Sequence, residues 1–242
     1  MTSASGTAPA GAGPLEAPAA GRRHFVLLSG GLDSATLAAW VLHHHPGAAL
    51  TAVSFRYGQK HAVELEAART VAAHYGLGHQ VVELPPIRGS ALTDSQTPLP
   101  EGRDPATATG VAPSYVPARN LLFLAHLASL ADAEGPATLW LGVHHDDYTD
   151  YPDCRPEFVV AADQAVRLGT QYQLRVRAPF VERTKADLLR WGLEHAVPYE
   201  LTHSCYQGLR PACGVCDTCQ ARLAAFAEVG ARDPIPYATR PA

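Results

Sequence analysis

The sequence predicts a doubly wound α/β fold built on a mostly parallel sheet. Three observations predict it. Short β-branched and aliphatic runs alternate with stretches whose apolar residues recur at helical spacing. A glycine pair, Gly30-Gly31, joins the first apolar run to the first helical stretch. The chain has 242 residues, 47% hydrophobic and 17% charged, which suits one large α/β domain or two small ones. Alternating strand and helix implies parallel pairing, right-handed crossovers and helices on both sheet faces.

The elements follow in order. Residues 1–22 are Ala, Gly, Pro, Ser and Thr with almost no aliphatic bulk, the composition of a disordered tail. They hold no apolar signal region, and no apolar run approaches the roughly 20 residues that span a bilayer. The expected location is cytoplasmic, with no membrane partner. Residues 24–28 read as the first strand and 35–40 as the start of a helix. That helix ends near His43-His44-His45-Pro46, read as a solvated helix end rather than a metal site. Residues 49–57 form a second strand, 61–75 a helix and 79–84 a third strand. The stretch 85–117 is long and rich in Pro, Thr, Gly and Asp, fitting a lid, a substrate loop or partial disorder. Arg119-Asn120 opens an apolar helix, 137–143 is a buried strand and 158–168 is helical. Residues 174–179 are the last strand, 185–196 the next helix and 220–229 the final one. The reading divides the chain into the tail, an α/β domain over 23–200 and a small segment over 201–242.

Ligands of such sheets bind beyond the carboxyl ends of the strands. Ser29-Gly30-Gly31-Leu32-Asp33-Ser34 falls there, as a tight strand-to-helix turn. Adjacent glycines let backbone N–H groups approach a ligand, and the helix N-terminus favours an anion. The turn is neither G-x-x-x-x-G-K-[ST] nor G-x-G-x-x-G. An ordinary Gly-rich turn is the bland alternative. Phe55-Arg56-Tyr57-Gly58-Gln59 falls on the same edge. The formal net charge is −4, against a general nucleic-acid partner. The only lysines are Lys60 and Lys185, so a retained Lys is a candidate for a compact-ammonium role.

Four of the five cysteines, Cys205, Cys213, Cys216 and Cys219, fall close together near the C-terminus. In a reducing compartment that spacing argues for metal over disulfides. Four thiolates fit a structural tetrahedral Zn²⁺ site, with an iron–sulfur cluster as the rival. Cys154 stands apart, either a reactive thiol or a plain buried cysteine.

S-G-G-x-D-S resembles the signature of the PP-loop ATP pyrophosphatases, of the adenine nucleotide alpha hydrolase type. Further residues narrow the resemblance. Tyr57-Gly58-Gln59 with His61 and Glu64, Val116-Pro117-Ala118-Arg119-Asn120, Tyr151 to Glu157, Thr184-Lys185, and Ser204-Cys205 with the later cysteines resemble the 7-cyano-7-deazaguanine (preQ0) synthase family. The match runs from about His24 to about Phe226. His203 stands where the family carries Trp, and Asp150 where it carries Gly.

The resemblance implies a ligase that joins 7-carboxy-7-deazaguanine and ammonia, with ATP cut to AMP. An adenylated acid would give an amide, and an adenylated amide the nitrile. It implies ATP binding at Leu28, Ser29, Gly30, Gly31, Leu32, Asp33, Ser34, Ala35, Thr36, Leu37 and Ala38. Asp33 would position Mg²⁺ and Ser34 would assist at the phosphates, with Lys185 and Arg119 as cations for the phosphates or the α-phosphoryl transition state. Tyr151, Asp153, Arg155 and Glu157 would line the deazaguanine site, although Arg155 and Glu157 equally suit an ion pair at a helix start. The cysteines would hold one structural Zn²⁺ per chain. A homodimer stays open. The rivals are another PP-loop adenylating enzyme, either an amide-forming relative or a tRNA-modifying ligase, and a zinc-knuckle nucleic-acid binding module with a degenerate loop.

Overall fold

The computed structural model describes residues 22–61, 63–94, 96–101 and 110–239. The tail reading falls outside these, apart from Arg22. The elements are β1 (Arg23–Leu27), α1 (Leu32–His44), β2 (Leu50–Arg56), α2 (Val63–His74), β3 (Gly78–Glu83), α3 (Arg119–Asp132), β4 (Ala137–Trp140), α4 (Pro156–Gly169), β5 (Arg175–Arg177), α5 (Lys185–Glu194) and α6 (Asp217–Glu228). Short 3-10 turns cover His145–Asp147, Pro152–Cys154 and Tyr199–Leu201. No described helix is long and apolar enough to cross a membrane.

The five strands are parallel, in the order β3-β2-β1-β4-β5. β1 lies at the centre, Phe25 pairing Thr51 on one side and Leu139 on the other. The chain winds outward through β2 and β3, then crosses back to β4 beside β1. That reversal makes the carboxyl ends of β1 and β4 the switch point where a ligand crevice opens.

Alternation along each strand feeds two cores. Val26, Ala52 and Trp140 turn toward α1, α2 and α5, meeting Leu37, Val41, Leu188 and Leu189. Phe25, Val53 and Leu139 turn the other way, meeting Leu124 and Leu127 of α3 and Ala162 of α4. Ala225 and Phe226 of α6 join the first core beside Tyr199, which seats the C-terminal segment on the α/β layers.

Several boundaries differ from the sequence reading. α1 begins at Leu32, not near residue 35, because Gly31 is its N-cap in extended conformation. Asp33 and Ser34 are therefore first-turn helix residues, where the macrodipole favours negative charge. β4 stops at Trp140, not near 143, because its pairing with β1 ends there, at Val26 with Trp140. α4 starts at Pro156, the proline fixing the first helical turn. α6 starts at Asp217, directly after the cysteine Cys216 that serves as its N-cap.

The histidine tract packs at the edge remote from the switch point. His44 stacks on Trp40 at 4.0 Å, and His45 lies 4.8 Å from the His24 ring.

Candidate functional site

The glycine turn is braced by its own hydroxyls. Ser29 N–H donates to Ser34 Oγ at 3.2 Å, and Gly31 N–H donates to Ser29 Oγ at 3.3 Å. Ser34 Oγ donates in turn to the Gly31 carbonyl at 3.1 Å. Gly30 has φ +90°, and a Cβ there would collide with the Glu64 carbonyl and reach 2.6 Å from Ala68 N. Only glycine lets the turn press so close to α2. The Gly30 carbonyl also accepts from His203 N–H at 2.9 Å, so the C-terminal segment touches the turn directly.

Asp33 projects from the first turn of α1 and meets Lys185 from the first turn of α5. Lys185 Nζ donates to both carboxylate oxygens, at 2.7 and 2.6 Å. Sequence distance hides this pair, which the sheet brings together. Thr184 caps α5 in a capping box with Asp187, fixing where Lys185 emerges. The Lys185 backbone N–H donates to Asp146 Oδ2 at 2.9 Å. Burial works to raise the Asp33 carboxyl, but Lys185 and His144 outweigh it and hold the group well below the usual carboxylate range.

The segment after β4 adds two groups to this cluster. His144 Nε2 lies 3.7 Å from Asp33 Oδ1 and 3.5 Å from Asp147 Oδ2. The His144 ring is buried without a hydrogen bond on either nitrogen. Burial and Lys185 oppose its protonation, yet Asp147 and Asp33 prevail and raise its pKa. Burial raises the Asp147 carboxyl.

Arg119 occupies a second neighbourhood. Its Nη1 donates to Tyr57 Oη at 3.2 Å, and its guanidinium carbon lies 6.0 Å from the centre of that ring. Tyr151 shares a hydrogen bond with Ser114 Oγ at 2.9 Å and another with Tyr206 Oη at 3.4 Å. Burial pushes the Tyr57 phenol up to about 12. Burial disfavours the charged Arg119, but Tyr57 and Tyr206 more than compensate and keep the guanidinium charged.

The remaining predicted substrate residues separate. Asp153 is buried, and its Oδ2 accepts from Asn120 N–H at 2.8 Å, at the N-terminus of α3. Arg155 is exposed and donates from Nε to the Tyr148 carbonyl at 3.0 Å. Glu157 is exposed on the first turn of α4. Cys154 is buried, in 3.5 Å contact with Asn120 Nδ2, and burial raises its thiol well above the ordinary range. It is a neutral packing group rather than a thiolate.

The sulfurs of Cys205, Cys213, Cys216 and Cys219 all lie within 4.8 Å of one another and are buried. Cys213 and Cys219 stand 3.9 Å apart. Four bonds of about 2.3 Å at tetrahedral angles set neighbouring sulfurs about 3.8 Å apart, so the donors fit one metal ion. A cluster of several iron atoms spreads its thiolates further. Cys213 N–H and Cys216 N–H point at Cys205 Sγ and Cys213 Sγ, each at 3.4 Å, which suits thiolate acceptors.

Parallel sheet, glycine turn and the charged groups at the switch point define an α/β protein of the doubly wound class. A family model described as queuosine biosynthesis protein QueC matches residues 23–230. A 7-cyano-7-deazaguanine synthase of Thermosynechococcus vestitus is 45% identical over 228 residues, covering 89% of this chain and 96% of the relative. Another from Syntrophotalea carbinolica is 46% identical over 230 residues, with 90% and 97% covered. One from Thermoplasma acidophilum is 41% identical over 226 residues, with 91% and 94% covered. The chain belongs to the QueC family of queuosine biosynthesis proteins.

Sequence reasoning did not assign His144, Asp147 or Tyr206. A signal for the first two was present, since a polar run directly after a buried strand marks the carboxyl edge. Tyr206 had none, because its place beside Tyr151 is set by the fold of the cysteine segment.

Proposed function

We propose that this chain makes 7-cyano-7-deazaguanine from 7-carboxy-7-deazaguanine and ammonia, cutting ATP to AMP. The observation that carries the reading is the Asp33–Lys185 pair beside the Gly30-Gly31 turn at the switch point, in a member of this family. A carboxylate is a poor electrophile. Transfer of AMP to its oxygen gives a mixed anhydride that ammonia opens to an amide. A second transfer, to the amide oxygen, lets AMP leave with the C–O electron pair while the nitrogen loses its protons and the nitrile forms. Both transfers need the same phosphate cradle and the same oxygen position, so one site serves both.

The roles divide by place. Residues 28–38 form the nucleotide cradle, with backbone N–H groups of the turn on the departing pyrophosphate. Lys185 holds Asp33, which directly follows the glycine turn, and it neutralises phosphate charge when ATP enters. Asp33 is the residue that would hold Mg²⁺, which supplies charge neutralisation on the phosphates. Arg119 supplies a second fixed cation. Tyr151 and Asp153 frame the deazaguanine site, Asp153 through the helix it anchors, with Arg155 and Glu157 at its rim. Zn²⁺ is the ion for the four thiolates, with a structural role, because no position is left open for chemistry. Free ammonia and a cytoplasmic location complete the reading.

The test is direct. The protein is incubated with ATP, Mg²⁺, ammonia and the carboxy compound, and products are read by mass spectrometry. Nitrile and AMP are expected, with amide as a transient. Product stopping at the amide would make this an amide-forming relative, and no AMP at all would remove the reading. Asp33→Ala is expected to abolish AMP formation.

A further inference from the structure

Arg119 is a half-buried cation with no carboxylate at ion-pair distance among the described residues. Its guanidinium meets the Tyr57 hydroxyl and ring, and it forms no ion pair among the described residues. Other partly buried arginines of this chain are matched: Arg175 and Arg177 reach Asp163 at 3.0 and 3.2 Å, and Arg222 reaches Asp233 at 2.7 Å. A partly desolvated charge without an ion-pair partner carries a cost, and phenol hydroxyls offset it only in part. An anionic ligand would complete its pairing.

The surroundings say which anion. The backbone N–H of Asn120, which a helix N-terminus would otherwise offer to a phosphate, is already taken by Asp153 Oδ2 at 2.8 Å. That amide is thus not free for a ligand, and the Arg119 side chain stands beside it. The side chains around it are aromatic: Tyr57 packs on Phe123 at 5.3 Å, Tyr115 lies 6.5 Å from Tyr151, and Tyr151 and Tyr206 join through their hydroxyls. Lys185 is engaged by Asp33 beside the glycine turn, and the Asp147 carboxylate lies within electrostatic reach of both Lys185 and Arg119. A flat aromatic acid suits rings around a planar guanidinium better than a triphosphate does.

Resting on the proposed reaction, we infer that Arg119 receives the carboxylate of the deazaguanine acid, aligned by the Tyr57 hydroxyl and walled by Tyr151 and Tyr206. Arg119 therefore acts chiefly in the first half of the reaction, where the substrate carries a full negative charge. The neutral amide that enters the second half engages it far less. Tyr57 is a positioning residue that acts through Arg119.

The experiment compares two substrates. kcat/KM is measured for the carboxy compound and, separately, for the synthetic amide, in wild type, Arg119→Gln, Arg119→Lys and Tyr57→Phe. ATP affinity is measured in each by calorimetry. Loss of a charge-assisted bidentate contact predicts that Arg119→Gln lowers the acid-to-amide ratio of kcat/KM by about thirtyfold. Arg119→Lys, which keeps the charge and loses the fork, lowers it by about fivefold, and Tyr57→Phe by about threefold. ATP affinity is expected to stay within about twofold of wild type throughout. A ratio unchanged in both arginine variants overturns the inference. Loss of ATP affinity with an unchanged ratio does so too, and reassigns Arg119 to a phosphate. If Arg119→Gln does not fold, the Lys and Tyr57 variants carry the same comparison. Failure of the wild type to turn either compound into nitrile is a different result: it removes the proposed reaction itself.

Discussion

Lys185 and Asp33 stand 152 positions apart and meet across the switch point. The aspartate keeps the lysine aimed at the turn, and the lysine keeps the aspartate ionised. On the proposed roles, Lys185→Gln removes a cation that would face the phosphates and leaves Asp33 with His144, at 3.7 Å, as its remaining partner among the described residues. Loss of one preorganised charge of this kind is worth about a hundredfold or more in kcat. That loss is expected in AMP release assays, with a smaller change in the KM for ATP. A variant of near-wild-type kcat would take Lys185 out of the transition state. His24 carries a second residue-scale prediction. Its Nδ1 accepts from Trp140 Nε1 at 3.0 Å, and burial, then His45 and Arg22, lower its pKa from 6.5 to about 4. The unfolded chain then takes up the proton before the folded one does. Stability from this group is complete above pH 6.5 and is lost as pH falls toward 4. Urea midpoints measured across that window should decline in wild type and decline less in His24→Asn. Equal slopes would remove His24 as the titrating group.

At the scale of elements, α3 and the segment before α4 work as one unit. Ala118 opens α3 in a left-handed conformation with φ 51°, so the helix begins without a side-chain cap of its own. Asp153 supplies the missing acceptor from 33 positions away, and Asn120 returns a bond from Nδ2 to the Asp153 carbonyl at 3.0 Å. This clamp fixes the first turn of α3, and with it Arg119. Asp153→Ala is expected to cost about 1–2 kcal/mol in urea unfolding, as loss of a cap does. Asp153→Asn keeps an acceptor oxygen and should cost less. If both variants unfold like wild type, the clamp does not hold the helix.

At the scale of the whole molecule, the cysteine segment couples to the glycine turn. His203, two residues before Cys205, donates its N–H to the Gly30 carbonyl at 2.9 Å, and Ser204 Oγ lies 3.5 Å from where a Gly31 Cβ would be. A metal held by these cysteines would order the backbone that backs the glycine turn. Metal binding is folding energy for such a segment. Stripping the ion with a chelator, or Cys205→Ser, should weaken ATP binding by about tenfold or more, measured by calorimetry. Metal content by atomic emission should read one ion per chain, with no iron–sulfur absorbance. Unaltered ATP affinity in stripped, folded protein would break the link.

The legible part of this chain was local. Gly30-Gly31 between an apolar run and a helical pattern announced the turn, because a strand-to-helix bend with close backbone approach needs those residues in that order. Four clustered cysteines announced a metal for the same reason: the ligands are neighbours in sequence. Alternating periods of two and about 3.6 gave the α/β class. What the tertiary structure alone decided was every meeting between distant parts. Asp33 with Lys185, Arg119 with Tyr57, Asp153 with α3, and His203 with Gly30 are all set by the order of strands in the sheet. A residue's type limits what it can bond. Its partner, when dozens of positions away, is chosen by topology, and no local pattern records that choice.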